Sequence, residues 1–133
     1  MNIVDVEGIG PVYAAKLEED GVHTIDDLLA RGATSKGRDE LEKATGISHG
    51  KILEWVNHAD LYRLDGVGSE YSDLLEAAGV DSPIELAHRV PANLAAKLAE
   101  VNEAKKLVRR VPSEAVVAGW IEQAKSLPKV VEH

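Results

Sequence analysis

The sequence predicts an all-α fold made of a duplicated unit, and three observations predict it. Apolar residues recur at three- and four-residue spacing, no segment sustains a two-residue alternation, and the chain aligns with itself. Residues 6–31, VEGIGPVYAAKLEEDGVHTIDDLLAR, lie without gaps on residues 64–89, LDGVGSEYSDLLEAAGVDSPIELAHR. Shared landmarks are Gly8/Gly66, Gly10/Gly68, Tyr13/Tyr71, Leu17/Leu75, Gly21/Gly79, Val22/Val80 and Leu28/Leu86. After a short insertion, residues 52–61 match 116–127, pairing Trp55 with Trp120 and Ala59 with Ala124. The repeats are therefore 1–61 and 62–133.

Each helix carries its own start or stop signal. Pro11 follows Gly10 at a first-turn position, where its missing N–H costs nothing. Tyr13, Ala14 and Leu17 form an apolar stripe, matched by Tyr71, Leu74, Leu75 and Ala78. Gly21 and Gly79 suit the left-handed position just past a helix end. Thr24 with Asp27, and Ser82-Pro83 with Glu85, read as N-caps with an acidic partner three residues on, opening short helices at about 25–31 and 83–89. A further helix at about 35–44 stops at Gly46, and the next starts after Ser48 with Ile52, Trp55, Val56 and Ala59 on one face. In the second repeat Leu94, Leu98 and Val101 make one stripe; Val117, Trp120, Ile121 and Ala124 make another, capped by Ser113.

Composition narrows the function classes. The 133 residues are 44% hydrophobic but only 4% aromatic with no Phe, so the core is aliphatic and Ala-rich. The absence of Cys excludes disulfides, thiolate zinc sites and Cys nucleophiles together. No apolar run approaches a membrane span and no charged-then-apolar leader is present, so a soluble cytoplasmic protein is expected. Glu132 and His133 could be a vector remnant and are given no structural weight. Net charge is −8, from 23 acidic and 15 basic residues, a handicap for gripping a polyanion.

The informative motif is Gly8-Ile9-Gly10 with its copy Gly66-Val67-Gly68. Paired glycines open backbone angles closed to other residues, and the apolar residue between them can plug inward. The helix start that follows leaves free N–H groups at the positive end of its dipole, a device that can hold one phosphate without reading a base. Two other readings compete. A GxGxxxA string can belong to a dinucleotide-binding unit with Ile3-Val4-Asp5-Val6 as its strand, but Gly66 follows the helix at 52–61 and no second strand follows either motif. Alternatively, the glycines only tighten an interhelical turn and bind nothing.

The stretch Gly8-Ile9-Gly10-Pro11 with Ala14 and Leu17 resembles the helix-hairpin-helix motif of DNA repair and replication proteins, which grips duplex backbone through hairpin amides. KGRDELEKATGIS, ILEWVNHADLYRLDGVGSEYSDLLEAAGV and NEAKKLVRRVPSE extend the resemblance, over nearly the full chain, to a bacterial family known only as a domain of unknown function. That resemblance implies two tandem helix-hairpin-helix (SAM-domain-like) repeats and supplies no activity. DNA-gripping hairpins usually carry a basic residue two places after the second glycine, where this chain has Val12 and Glu70. Asp65, Asp73 and Glu76 deepen the negative field at the second hairpin, whereas Lys16, Lys36 and Arg38 are candidates to serve the first. One clamp of this kind gives non-specific affinity, about 10⁻⁴ M or weaker at physiological salt.

Other features read blandly. Lys105, Lys106, Arg109 and Arg110 are a solvated segment with Leu107, Val108 and Val111 tucked inward. The five His are scattered, and His58 and Asp60 stand two apart on a helix, a poor chelating spacing, so no metal is expected. Acid runs such as Asp26-Asp27 and Glu18-Glu19-Asp20 suit caps and solvated faces, and no GxSxG, Walker or HExxH string is present. Neither catalysis, a cofactor nor a small-molecule substrate is expected. Trp55 and Trp120 read as paired core anchors. The expectation is a binding module, monomeric or weakly dimeric. A protein partner on the acidic face of Asp65, Glu70 and Asp73 ranks first on local charge. The alternative is nucleic-acid backbone at Gly8, Ile9, Gly10, Val12, Lys16, Lys36 and Arg38.

Overall fold

Hydroxyl side chains set where most of the helices begin. The computed structural model describes residues 2–133. It runs through a 3₁₀ turn at Ile3–Asp5 and helices α1 (Gly10–Glu19), α2 (Ile25–Gly32), α3 (Ser35–Thr45), α4 (His49–Leu61), α5 (Ser69–Ala77), α6 (Pro83–Ala87), α7 (Pro91–Lys105) and α8 (Glu114–Ser126). Thr24 Oγ1 accepts from the Asp27 amide at 3.1 Å while Asp27 Oδ2 accepts from the Thr24 amide at 3.2 Å, a reciprocal capping box. Thr34, Ser82 and Ser113 cap α3, α6 and α8 in the same way, each taking the amide three residues on. Ser48 does so for α4, accepting from the Lys51 amide at 3.3 Å.

The all-helical expectation holds. Among the described residues there is no strand, only an isolated antiparallel bridge between Asn2 and Thr24. The segment that could have passed for a nucleotide-binding strand is helical instead: the Asp5 amide bonds to Asn2 O at 3.0 Å and the Val6 amide to Ile3 O at 3.1 Å. No described helix is long and apolar enough to cross a membrane.

Contacts divide the chain into two units, one ending at Asp60 and completed by Lys129–His133, the other Leu61–Pro128. In the first, Ile3, Val6, Ile9, Leu17, Leu28, Leu41, Ile52 and Val56 are buried, an aliphatic core as the composition requires. Gly32 lets α2 approach α4: a Cβ there would stand 2.4 Å from Val56 Cγ2. The second unit has its own core, in which Leu74, Leu75, Leu86, Leu94, Leu98, Val117, Trp120 and Ile121 are buried. The expected boundary gave residues 62–133 to one repeat, but Lys129–His133 returns to the first unit. Val131 is buried there, and the Glu132 amide bonds to Ala33 O at 2.7 Å.

The capping box generates a pH prediction. The amides of His23 and then Thr24 hold the Asp27 carboxyl below its usual range. A depressed carboxyl stabilises the fold fully above the unfolded pKa, about 3.9, and loses that contribution as pH falls through the lower folded value. Melting temperature measured from pH 7 to pH 2 should therefore fall less steeply at the acid end in Asp27→Asn than in the parent chain. Ser82→Ala, which removes a buried cap, should cost about 1 kcal/mol in denaturant unfolding at pH 7.

Candidate functional site

The first corner is built by burying its middle residue. Ile9 is enclosed, and its amide bonds to Val6 O at 3.1 Å. The chain can turn inward and out again so quickly because Gly8 takes φ +90° and Gly10 φ +61°. The turn leaves donors unspent. The amides of Gly8, Gly10 and Val12 have no acceptor among the described residues. They precede and open α1, so the positive end of its dipole lies with them. Val12 is 70% exposed and Gly8 is exposed too, so this edge lies at the surface.

Behind the corner stands Trp55 from α4. Its Nε1 lies 3.4 Å from where a Gly8 Cβ would be, and its ring meets Tyr13 at 5.2 Å between centroids, tilted by 56°. Lys51 Nζ sits 5.6 Å from the Tyr13 ring centroid, a cation–π placement. Lys51 is a functional candidate the sequence reading passed over. Its signal was available, since it precedes Trp55 by one helical turn and shares that residue's face.

The basic residues expected at this corner fare differently. Lys16 is exposed one turn into α1, in a shallow depression of 240 Å³ that also includes Glu19, Asp20, Ala44 and Thr45. Its charge is thus shared with two carboxylates, although Asp20 Oδ2 is already held by Arg31 at 2.7 Å. Lys36 is exposed in the first turn of α3 and has no hydrogen bond or ion pair tying it to the corner. Arg38 corrects the expectation outright. It is 1% exposed, donating to Gly32 O at 2.8 Å and Glu132 O at 2.7 Å, with Nε 3.2 Å from His49 Nε2. A guanidinium spent on internal carbonyls cannot reach a ligand.

The second corner repeats the plan with changes. Val67 is buried, Gly66 takes φ +88°, and Trp120 Nε1 lies 3.4 Å from the position of a Gly66 Cβ. Tyr71 meets Trp120 at 5.3 Å and 58°, nearly the same geometry as in the first unit. Gly68, however, has φ −107°, an ordinary extended angle. Glu70 is exposed in the first turn of α5, Asp65 is exposed, and Asp73 is half-buried. The Asp65 amide is taken by Gln123 Oε1 at 2.9 Å. The place of Lys51 falls to Val116 when Trp55 is set on Trp120. Val116 lines a groove of 510 Å³ with Tyr71, Arg110, Val111, Pro112 and Ser113. The Tyr71 hydroxyl donates to Arg110 O at 3.0 Å, so part of the basic segment runs beside this corner. Asn102 fixes that segment by bonding both the amide and the carbonyl of Val108.

Comparison with known proteins adds two findings. The family model described as a domain of unknown function, DUF4332, matches residues 7–127. The DNA repair and recombination protein RadA of Cenarchaeum symbiosum (strain A) is 47% identical over 36 residues, 27% of this chain and 9% of that protein. The chain therefore spans less than a tenth of that relative's length. No solved structure matches the chain.

Arg38 and Lys36 should separate cleanly in unfolding experiments. Arg38→Ala strips buried carbonyls of their donor and should destabilise by about 3 kcal/mol in denaturant unfolding. Lys36→Ala, a surface change, should stay within about 0.5 kcal/mol.

Proposed function

We propose a function for this chain, which belongs to the family of the domain of unknown function DUF4332, from the build of its first corner. It is a non-catalytic, helix-hairpin-helix-type binding module that holds the sugar–phosphate backbone of a nucleic acid without reading bases. The observation that carries this reading is the row of unspent amides at Gly8, Gly10 and Val12, at the start of α1 and near the surface. Main-chain donors at a helix N-terminus suit a phosphate oxygen and carry no sequence information. Lys51, placed by Tyr13, supplies a cation on the same unit, and Lys16 supplies a second, partly offset by Glu19 and Asp20. The short similarity to a DNA repair and recombination protein agrees in kind. The net charge of −8 limits the grip to a weak one, about 10⁻⁴ M or weaker at physiological salt.

The second corner favours a different partner. Glu70 replaces a basic residue at the head of α5, beside Asp65 and Asp73, so a phosphate is disfavoured there and a basic protein segment is preferred. On this reading the chain is an adaptor, with nucleic acid on one corner and a protein on the other.

Titrating labelled duplex and single-stranded DNA at about 50 mM and about 200 mM salt tests the main reading. Two phosphate contacts imply an affinity loss of about tenfold between those salts. Lys51→Glu should weaken binding by a similar factor at the lower salt, while Glu70→Lys should not weaken it. Absence of binding to either DNA at the lower salt rejects the reading. A protein partner that survives Glu70→Lys/Asp73→Lys in pull-down rejects the adaptor half.

A further inference from the structure

Trp55 is only 3% exposed, yet its indole N–H has no acceptor among the described residues. Nor is that nitrogen among the fully buried polar atoms left unsatisfied, so it retains access to solvent. An indole nitrogen can only donate, and a donor in a ring this enclosed ordinarily finds an acceptor. Here the nitrogen stands 3.4 Å from the side-chain position of Gly8, which no Cβ fills. Two covalent bonds separate that position from the Gly8 nitrogen. The indole nitrogen and the Gly8 amide therefore lie within about 6 Å of one another, a span that two oxygens of one phosphate bridge.

We propose that the Trp55 indole N–H is a ligand-binding donor that, with the amides of Gly8 and Gly10, makes the first corner a pocket for a single phosphate group. This rests on the functional reading above and deepens it, by assigning to Trp55 a contact beyond core packing. The indole adds a hydrogen bond without adding charge, which suits a chain whose net charge disfavours polyanions. The tilted Tyr13 ring holds the indole in place, and Lys51 over that ring supplies the countercharge. In the second unit the Trp120 indole faces Gly66 in the same way, but Glu70 stands in the first turn and Val116 takes the place of Lys51. The Trp120 resonance is therefore the internal reference.

The experiment follows both indole N–H resonances by NMR in the full chain. Inorganic phosphate, and separately a short duplex, are titrated against sodium chloride of equal ionic strength. The Trp55 resonance is expected to move with both probes, and the Trp120 resonance to move little. Trp55→Phe keeps an aromatic ring and deletes the donor. It should weaken duplex binding about tenfold with an unchanged salt slope, whereas Lys51→Gln should reduce the slope by about one. Phosphate moving the Trp55 resonance while duplex does not would uphold the pocket and defeat the nucleic-acid reading. A Trp55 resonance unmoved by either probe, or Trp55→Phe binding duplex as tightly as the parent, overturns the proposal. Should Trp55→Phe fail to fold, the titrations of the unaltered chain decide alone.

Discussion

Everything at the first corner follows from the requirement that Ile9 be inside while the residues on either side of it stay near the surface. Burying that side chain contributes about 1.5–3 kcal/mol, and it can be buried only if the backbone reverses within three residues. In that reversal Gly8 and Gly10 take positive φ, and the Ile9 amide is spent on Val6 while the amides of Gly8 and Gly10 stay unspent. The bare edge of the corner is thus a by-product of core packing.

The second unit shows which part of that logic is structural and which is adjustable. Plug, positive-φ glycine, tilted Tyr–Trp pair and indole–glycine contact recur with distances agreeing to about a tenth of an ångström. These are the parts that packing dictates. What differs lies outside the core: Val12 against Glu70, and Lys51 against Val116. The two corners therefore present opposite electrostatics, and they differ in backbone as well, with φ +61° at Gly10 against −107° at Gly68.

Local features were legible in the sequence and long-range ones were not. The helical content, the Thr24, Ser82 and Ser113 caps, and the burial of Ile9 and Val67 all depend on residues within a few positions of one another. Arg38 shows the limit. Its surroundings in the chain, Lys36 and Asp39, read as an exposed polar face, and only an acceptor 94 residues away explains its burial. Lys51 and Trp55 fall between these cases. Their shared helix face could be read, but not that Tyr13 and Gly8 would be waiting opposite it. The last residues carried no pattern to read, yet Val131 and Glu132 complete the first unit.

Arg38 has no carboxylate at its guanidinium. Main-chain carbonyls hold it, together with a His49 ring that accepts at Nε2 and, through Nδ1, faces Asp39 at 2.7 Å. Because one of those carbonyls is Glu132 O, the order of synthesis matters. A ribosome adding about 5–20 residues per second leaves Arg38 without that acceptor for about 5–20 s, by which time every residue of Leu61–Pro128 has been made. Of the two units, the one that comes earlier in the chain is the later to be completed. Until then the guanidinium beside the α2–α3 junction lacks the Glu132 carbonyl that holds it in the folded chain.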